Sequence, residues 1–227
     1  MSRNGRIIMN LKLSLLLLSI FIVTNGCEKL QFPTEFDLNS SAFAEQQSQF
    51  KDVEIIDIDR VNRDIENGKV KGWESAKTQQ DRYLALLNYF RSLPIQCNDA
   101  RGYKGPIKGE VTWSDSLEEA AIAHSEDLLE HSQLGHRGSN GSTARERVKL
   151  HGFSGEYIGE NVGYIMKDGI PYSGKEWISI FVDWINSKDG HCSNIMNKEY
   201  NSFGMGEAKS EEGNSVTLFW TQDFGKI

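Results

Sequence analysis

Hydrophobic and polar positions change their pattern three times along the chain. Leu13 to Val23, "LSLLLLSIFIV", is an eleven-residue apolar core behind a leader that carries Arg3, Arg6 and Lys12 and no acidic residue. That length is short for a bilayer span and predicts a secretory signal peptide over residues 1–26. From position 27 to about 75 the pattern is mixed. "NSSAFAEQQSQ" has no apolar period; in "DVEIIDIDRVNRDIENGKV", Val53 and Ile55 fit a strand, whereas Ile58, Val61 and Ile65 fit a short helix. Read as a tether in flexible coil, this segment would reach on the order of 35–40 Å. A compact domain is then expected over residues 76–227.

Within that domain the period settles. Tyr83, Leu86, Leu87 and Phe90 mark one face of a helix that ends before Pro94. A second helix follows Trp113, with Asp115 as its expected cap, Glu118 completing a capping box, and a stripe of Leu117, Ala121, His124 and Leu128. "GSNGS" predicts a turn, with Ser142 capping a short helix through Val148. In "SGKEWISIFVDWINS", Trp177, Phe181, Trp184 and Ile185 line one side of a further helix. Strand patterning is clearest in "SVTLFWTQDF", where large residues on both faces predict a strand covered on both sides. "SFGMGEAK" predicts a preceding strand whose glycines admit close approach of another element, and "ENVGYIM" a third strand. Helices followed by strands predict an α+β layered domain.

Charge narrows the partners. The leader holds three of the 25 Lys and Arg residues and none of the 32 Asp and Glu, so the remainder carries a net charge of −10. No basic stripe is present, and nucleic acid is not an expected partner. The segment Thr24-Asn25-Gly26-Cys27 resembles a bacterial lipobox, with Cys27 lipidated as the mature N-terminus; ordinary cleavage near Gly26 is the alternative. Lipidation would anchor an exported protein to a bacterial membrane. Cys97 and Cys192 then remain, and an even pair in an oxidising compartment reads as a disulfide, with two free buried thiols as the alternative.

Five histidines are candidates for chemistry: His124, His131, His136, His151 and His191. His124 lies on an apolar stripe and reads as a core residue. His131 ends a helix, where a cation interacts with the dipole, and His151 reads as surface. His136 in "LGHRGSNGS" and His191 in "SKDGHCSN" lie in glycine-flanked loops, and Glu160 lies in "GEN" at a strand start. Their spacings of 24 and 31 residues form no local metal motif, and HExxH, CxxC, GxSxG and P-loop signatures are missing.

Five segments, "HRGSNGSTARERVKLHGFSG", "GENVG", "FVDWINSKDGHCSNIMN", "SFGMGEA" and "FWTQDFG", occur in an order that resembles the bacterial branch of the CAP superfamily. That superfamily, also called SCP, comprises cysteine-rich secretory proteins, antigen 5 and pathogenesis-related proteins. The resemblance covers Tyr83 to Gly225. It implies a three-layer α-β-α sandwich with a central, mainly antiparallel sheet. It implies a cleft in which His136, Glu160 and His191 match family positions, while Ser187 stands where animal members have a second glutamate. It also implies that Cys97 and Cys192 bridge. The expected function is ligand capture in the cell envelope by a monomer, the ligand being a small molecule, a lipid or a protein. His136, Glu160 and His191 would hold a divalent metal, with zinc the best match to two imidazoles and one carboxylate, or would form a hydrogen-bonded polar cluster without metal. A metal-dependent hydrolase or peptidase, and an adhesion protein with a vestigial cleft, are the alternatives.

Overall fold

The computed structural model describes residues 56–227. The signal peptide, Cys27 and the first part of the expected tether lie outside the described residues. Its elements are α1 (Ile58–Glu66), α2 (Gln79–Ser92), β1 (Thr112–Trp113), α3 (Asp115–His131), α4 (Ala144–Leu150), β2 (Glu156–Asp168), α5 (Glu176–Asn186), α6 (His191–Ile195), β3 (Ser202–Glu212) and β4 (Ser215–Lys226). The sheet order is β1-β3-β4-β2. The two-residue β1 runs parallel to β3, and the two other pairings are antiparallel.

Alternation along the strands assigns the two faces. Gly204 and Gly206 turn toward α3, and a Cβ on either would strike that helix's backbone at Leu117 and Glu118 or at Ala121 and Ile122. Their absent side chains let helix and sheet meet closely, as "SFGMGEAK" predicts. On the opposite face Phe203, Met205, Leu218, Trp220 and Phe224 pack in one cluster with residues of α2, α5 and α6. The expected stripe of α3 (Leu117, Ala121, His124, Leu128) and the expected face of α5 (Trp177, Phe181, Trp184, Ile185) are both buried. Each large apolar side chain so buried contributes about 1.5–3 kcal/mol. The result is the three-layer α-β-α arrangement.

Several local expectations need correction. Residues 56–75 do not form a coil tether. Ile56, Val61 and Val70 are buried in the main cluster, Asn186 Nδ2 donates to the Ile56 carbonyl at 2.7 Å, and the Tyr89 hydroxyl donates to Asp64 of α1 at 2.5 Å. The helical reading of Ile58, Val61 and Ile65 was the correct local one. Asp115 lies inside the first turn of α3, whose cap position is Ser114. The capping boxes are instead Thr78 with Asp81 on α2 and Thr143, not Ser142, with Glu146 on α4.

Cys97 and Cys192 form a disulfide, Cα to Cα 5.5 Å, across a sequence separation of 95. Closing a loop of that length contributes about 2–4 kcal/mol. It also ties the segment after α2 to α6.

Candidate functional site

Three elements place the site at the outer strand β2. The turn after α3 brings His136, β2 brings Glu160, and the α5–α6 junction brings His191. His136 Nδ1 donates to Glu160 Oε1 at 2.8 Å. The Arg147 guanidinium donates from Nη2 to Glu160 Oε2 in a short charged bond, and to the His136 carbonyl at 3.2 Å. Its other terminal nitrogen donates to the Ser142 carbonyl at 2.9 Å. Arg147 therefore fixes both the carboxylate and the loop that carries the imidazole. His124 is the core residue expected, yet it borders the site: Nε2 lies 2.9 Å from the Gly135 carbonyl and 3.9 Å from Glu160 Oε2. Asp127 accepts from the Ser139 amide at 2.8 Å and holds the far side of the same turn.

His191 is reached from the other sheet face. It opens α6, behind Gly190, whose φ of 95° favours a residue without Cβ. Arg101 Nη2 donates to the Gly190 carbonyl at 2.8 Å and Nη1 to Asn194 Oδ1 at 3.1 Å. Asn194 Nδ2 donates to Asn161 Oδ1 and to the Glu160 carbonyl, both at 2.8 Å. Asp99 accepts from Ser193 Oγ at 2.5 Å and from its amide at 3.1 Å. Buried Arg91 grips the carbonyl of Ile195, the last residue of α6, and those of Asn197 and Tyr200 beyond it. The short helix is thus tied to β2 and to the loop after α2, and the disulfide adds a covalent tie there.

The two rings differ electrically. The bond to Glu160 raises the pKa of His136 above the ordinary histidine value, against opposing effects of burial and of Arg147. Burial lowers that of His191, and the charge of His136 lowers it further. His191 Nδ1 lies 2.8 Å from Ser187 Oγ, which also accepts from the Asp189 amide at 3.1 Å. A serine beside an imidazole has the outline of a nucleophile and base. Here the hydroxyl closes a local turn, and no carboxylate is bonded to His191 among the described residues, so the orienting third group is missing.

The expected three-ligand metal set is not assembled. Among the described residues no group of three His, Cys, Asp or Glu side chains could hold a metal ion. Both oxygens of Glu160 are taken by His136 and Arg147, so Glu160 orients an imidazole rather than serving as a ligand. The two imidazoles fit a narrower role. Each ring engages its Nδ1, and Nε2 carries no hydrogen bond among the described residues.

Residues 84–224 match the family described as "CAP: Cysteine-rich secretory protein family". The chain belongs to the CAP family. The chain is 25% identical over 117 residues to "Uncharacterized membrane protein YlbC" of Bacillus subtilis, an alignment covering 52% of this chain and 29% of that protein. The chain thus spans less than a third of that relative's length. An extracellular SCP-domain protein of Bacillus anthracis aligns at 20% identity and a TM-score of 0.46, over 65% of this chain and 40% of that one. An outer surface protein of Borrelia burgdorferi aligns at 21% identity and a TM-score of 0.38, over 53% of this chain and 80% of that one. Among the described residues, no helix of this CAP protein is long and apolar enough to cross a membrane.

The sequence reading of the CAP site missed Arg147, Arg101, Asp99 and Asn194. Arg147 offered only a weak signal, its place on the short helix that follows the glycine turn after His136. The other three lie in segments with no period and find their partners about 90 residues away or on another element.

Proposed function

We propose that this CAP protein is an exported, lipid-anchored, monomeric binding protein of the cell envelope, whose cleft takes its ligand through His136 and His191 and a divalent metal ion, best matched by zinc. The arrangement of the two rings carries this reading. Each is anchored at Nδ1, and the His136 side chain is 60% exposed. For His191 to ligate through Nε2, its Nδ1–H donates to Ser187 Oγ, whose lone pairs can accept this bond together with that of the Asp189 amide. Glu160 holds His136 in the corresponding tautomer. A bound zinc ion would supply a Lewis-acidic point for an anionic or carbonyl-bearing ligand. Two protein ligands leave the remaining positions to water and to that ligand.

Zinc titration calorimetry on the full-length chain tests the reading. His136→Ala and His191→Ala are each expected to lose about tenfold or more in affinity, the scale of one lost ligand. Ligating imidazoles must be neutral, and the His136 value lies above the ordinary histidine one, so affinity begins to fall while pH is still above about 6.5. His136, with its raised value, is the first ring lost to protons. Equal affinity in the three proteins would remove the site. No binding by wild type would leave a hydrogen-bonded polar cluster instead.

The envelope location rests on the leader and Cys27, and the Bacillus subtilis relative is itself called a membrane protein. Mass spectrometry of the detergent-extracted chain is expected to find the mature N-terminus at a diacylglyceryl-modified Cys27. An unmodified Cys27, or a start elsewhere, overturns the anchor.

A further inference from the structure

Past the C-terminal end of α3 the sheet continues without a covering helix among the described residues. Leu128, Val162 and Phe219 form the last packed cluster between them. Beyond it a cavity of about 1060 Å³ opens between the helix end and the strand ends. Its floor is the Phe219 ring, stacked beneath Tyr164 with centroids 5.5 Å apart. Leu134, Tyr164 and Met166 stand around it and are 47%, 48% and 67% exposed. Exposed apolar side chains gathered in one place mark an interaction surface more often than scattered ones do.

The same place holds a sheet edge that is unpaired among the described residues. β2 is the last strand of the order β1-β3-β4-β2. The Asn201 amide donates to the Gly225 carbonyl at 3.0 Å, so Gly225 directs its polar groups toward β3. Alternation along an antiparallel strand then directs Trp220 and Leu218 toward β2, where they face Gly163 and Ile165. Val162, Tyr164 and Met166 consequently present N–H and C=O groups to the outside. Val162 confirms the direction, since its carbonyl accepts from Trp184 Nε1 at 3.1 Å. The main-chain groups of Tyr164 and Met166 have no hydrogen-bond partner among the described residues.

Charge decides what suits this edge. Glu126, Glu130 and Glu212 line the cavity and form no ion pair among the described residues. Among the described residues Lys209 is its only lining cation, and it already bonds Glu211 at 2.8 Å. Glu126 and Glu130 stand one helical turn apart, where like charges repel and a cation between them is favoured.

We propose that the outer edge of β2 and this groove bind an extended polypeptide segment that carries apolar and basic residues on one face. It pairs as a fifth strand with the main chain at Tyr164 and Met166. Its apolar side chains lie against Tyr164 and Met166, and its lysines or arginines reach Glu126, Glu130 and Glu212. Main-chain bonds hold the segment, and the alternate side chains set the choice of partner.

The test uses the full-length chain in detergent and a fluorescent peptide, Lys-Thr-Val-Thr-Lys-Thr-Val-Thr-Lys, with a control in which glutamate replaces each lysine. Fluorescence anisotropy should show the lysine peptide bound about tenfold or more tightly than the control at low salt. The gap should shrink as salt rises from about 0.05 M to about 0.5 M. Glu126→Lys with Glu130→Lys should abolish the preference. Met166→Pro removes one outward N–H and no bond of the β2–β4 ladder, so folding should survive while affinity falls about tenfold. The thermal midpoint of each variant checks the fold. Equal binding of the two peptides would overturn the proposal, and so would unchanged affinity in a folded Met166→Pro protein. Self-association that Met166→Pro dissolves would replace the peptide with a second copy of the chain and also overturn it.

Discussion

Replacing Arg147 by methionine is expected to destabilise the protein by about 3–5 kcal/mol at neutral pH, because a buried carboxylate loses its principal counter-charge. The Arg147 and Glu160 side chains are 8% and 3% exposed, so water cannot take over the guanidinium's role. His136 would remain beside Glu160, and loss of the Arg147 charge should raise the His136 value further, since that charge opposes its protonation. Urea unfolding measures the first effect, and the histidine resonances in NMR titration measure the second. Arg147→Met combined with Glu160→Gln should lie closer to wild type than Arg147→Met alone, because no uncompensated charge stays buried. A loss below about 1 kcal/mol in the single variant would show the pair to be solvated and dispensable.

Asp223 has the opposite sign. It is fully buried on β4, opposite Glu160 on β2 and Gly204 on β3, and neither carboxyl oxygen has a hydrogen-bond partner among the described residues. Burial, then the Glu160 charge, holds its pKa well above the ordinary carboxylate value, with Arg147 opposing. The native state therefore keeps this proton where the unfolded chain, with a value near 3.9, has released it. Wild-type stability should be unaffected by Asp223 below about pH 3.9 and decline as pH rises from there toward the folded value, by at most about 1.4 kcal/mol per pH unit. Asp223→Asn removes that dependence and leaves shape and polarity nearly unchanged. Its stability relative to wild type should grow between pH 4 and pH 7 in urea unfolding series. Parallel curves for the two proteins would mean that Asp223 titrates normally.

Much of the helix and strand content could be read directly from spacing. The stripes of α2, α3 and α5 repeat every three to four residues because each helix buries one side, and β4 carries large residues on both faces because it is an inner strand with helices above and below. The glycines of β3 were legible as sites of close approach, since only a missing Cβ permits contact with the α3 backbone. Elements too short for a period escaped notice: β1 has two residues and α6 five. Residues 56–75 were divided between tether and helix because Ile58, Val61 and Ile65 reveal one apolar side without revealing what covers it.

The candidate site divides along the same line. The chain by itself marked His136, Glu160 and His191 as glycine-flanked candidates, and only the resemblance to the CAP family grouped them in one cleft. It also marked Cys97 and Cys192 as candidate partners. Tertiary structure alone determined how Glu160 is used. A carboxylate beside one histidine could ligate a metal, but Arg147 arrives from α4 and occupies its second oxygen, leaving Glu160 to orient His136. Only the folded chain shows Asp223 as a buried acid, because the same "TQDF" on an edge strand would be solvated. Local sequence encodes which side of an element avoids water. The charge state and duty of a polar group depend on which distant groups share its low-dielectric surroundings, and that is settled only when the layers close.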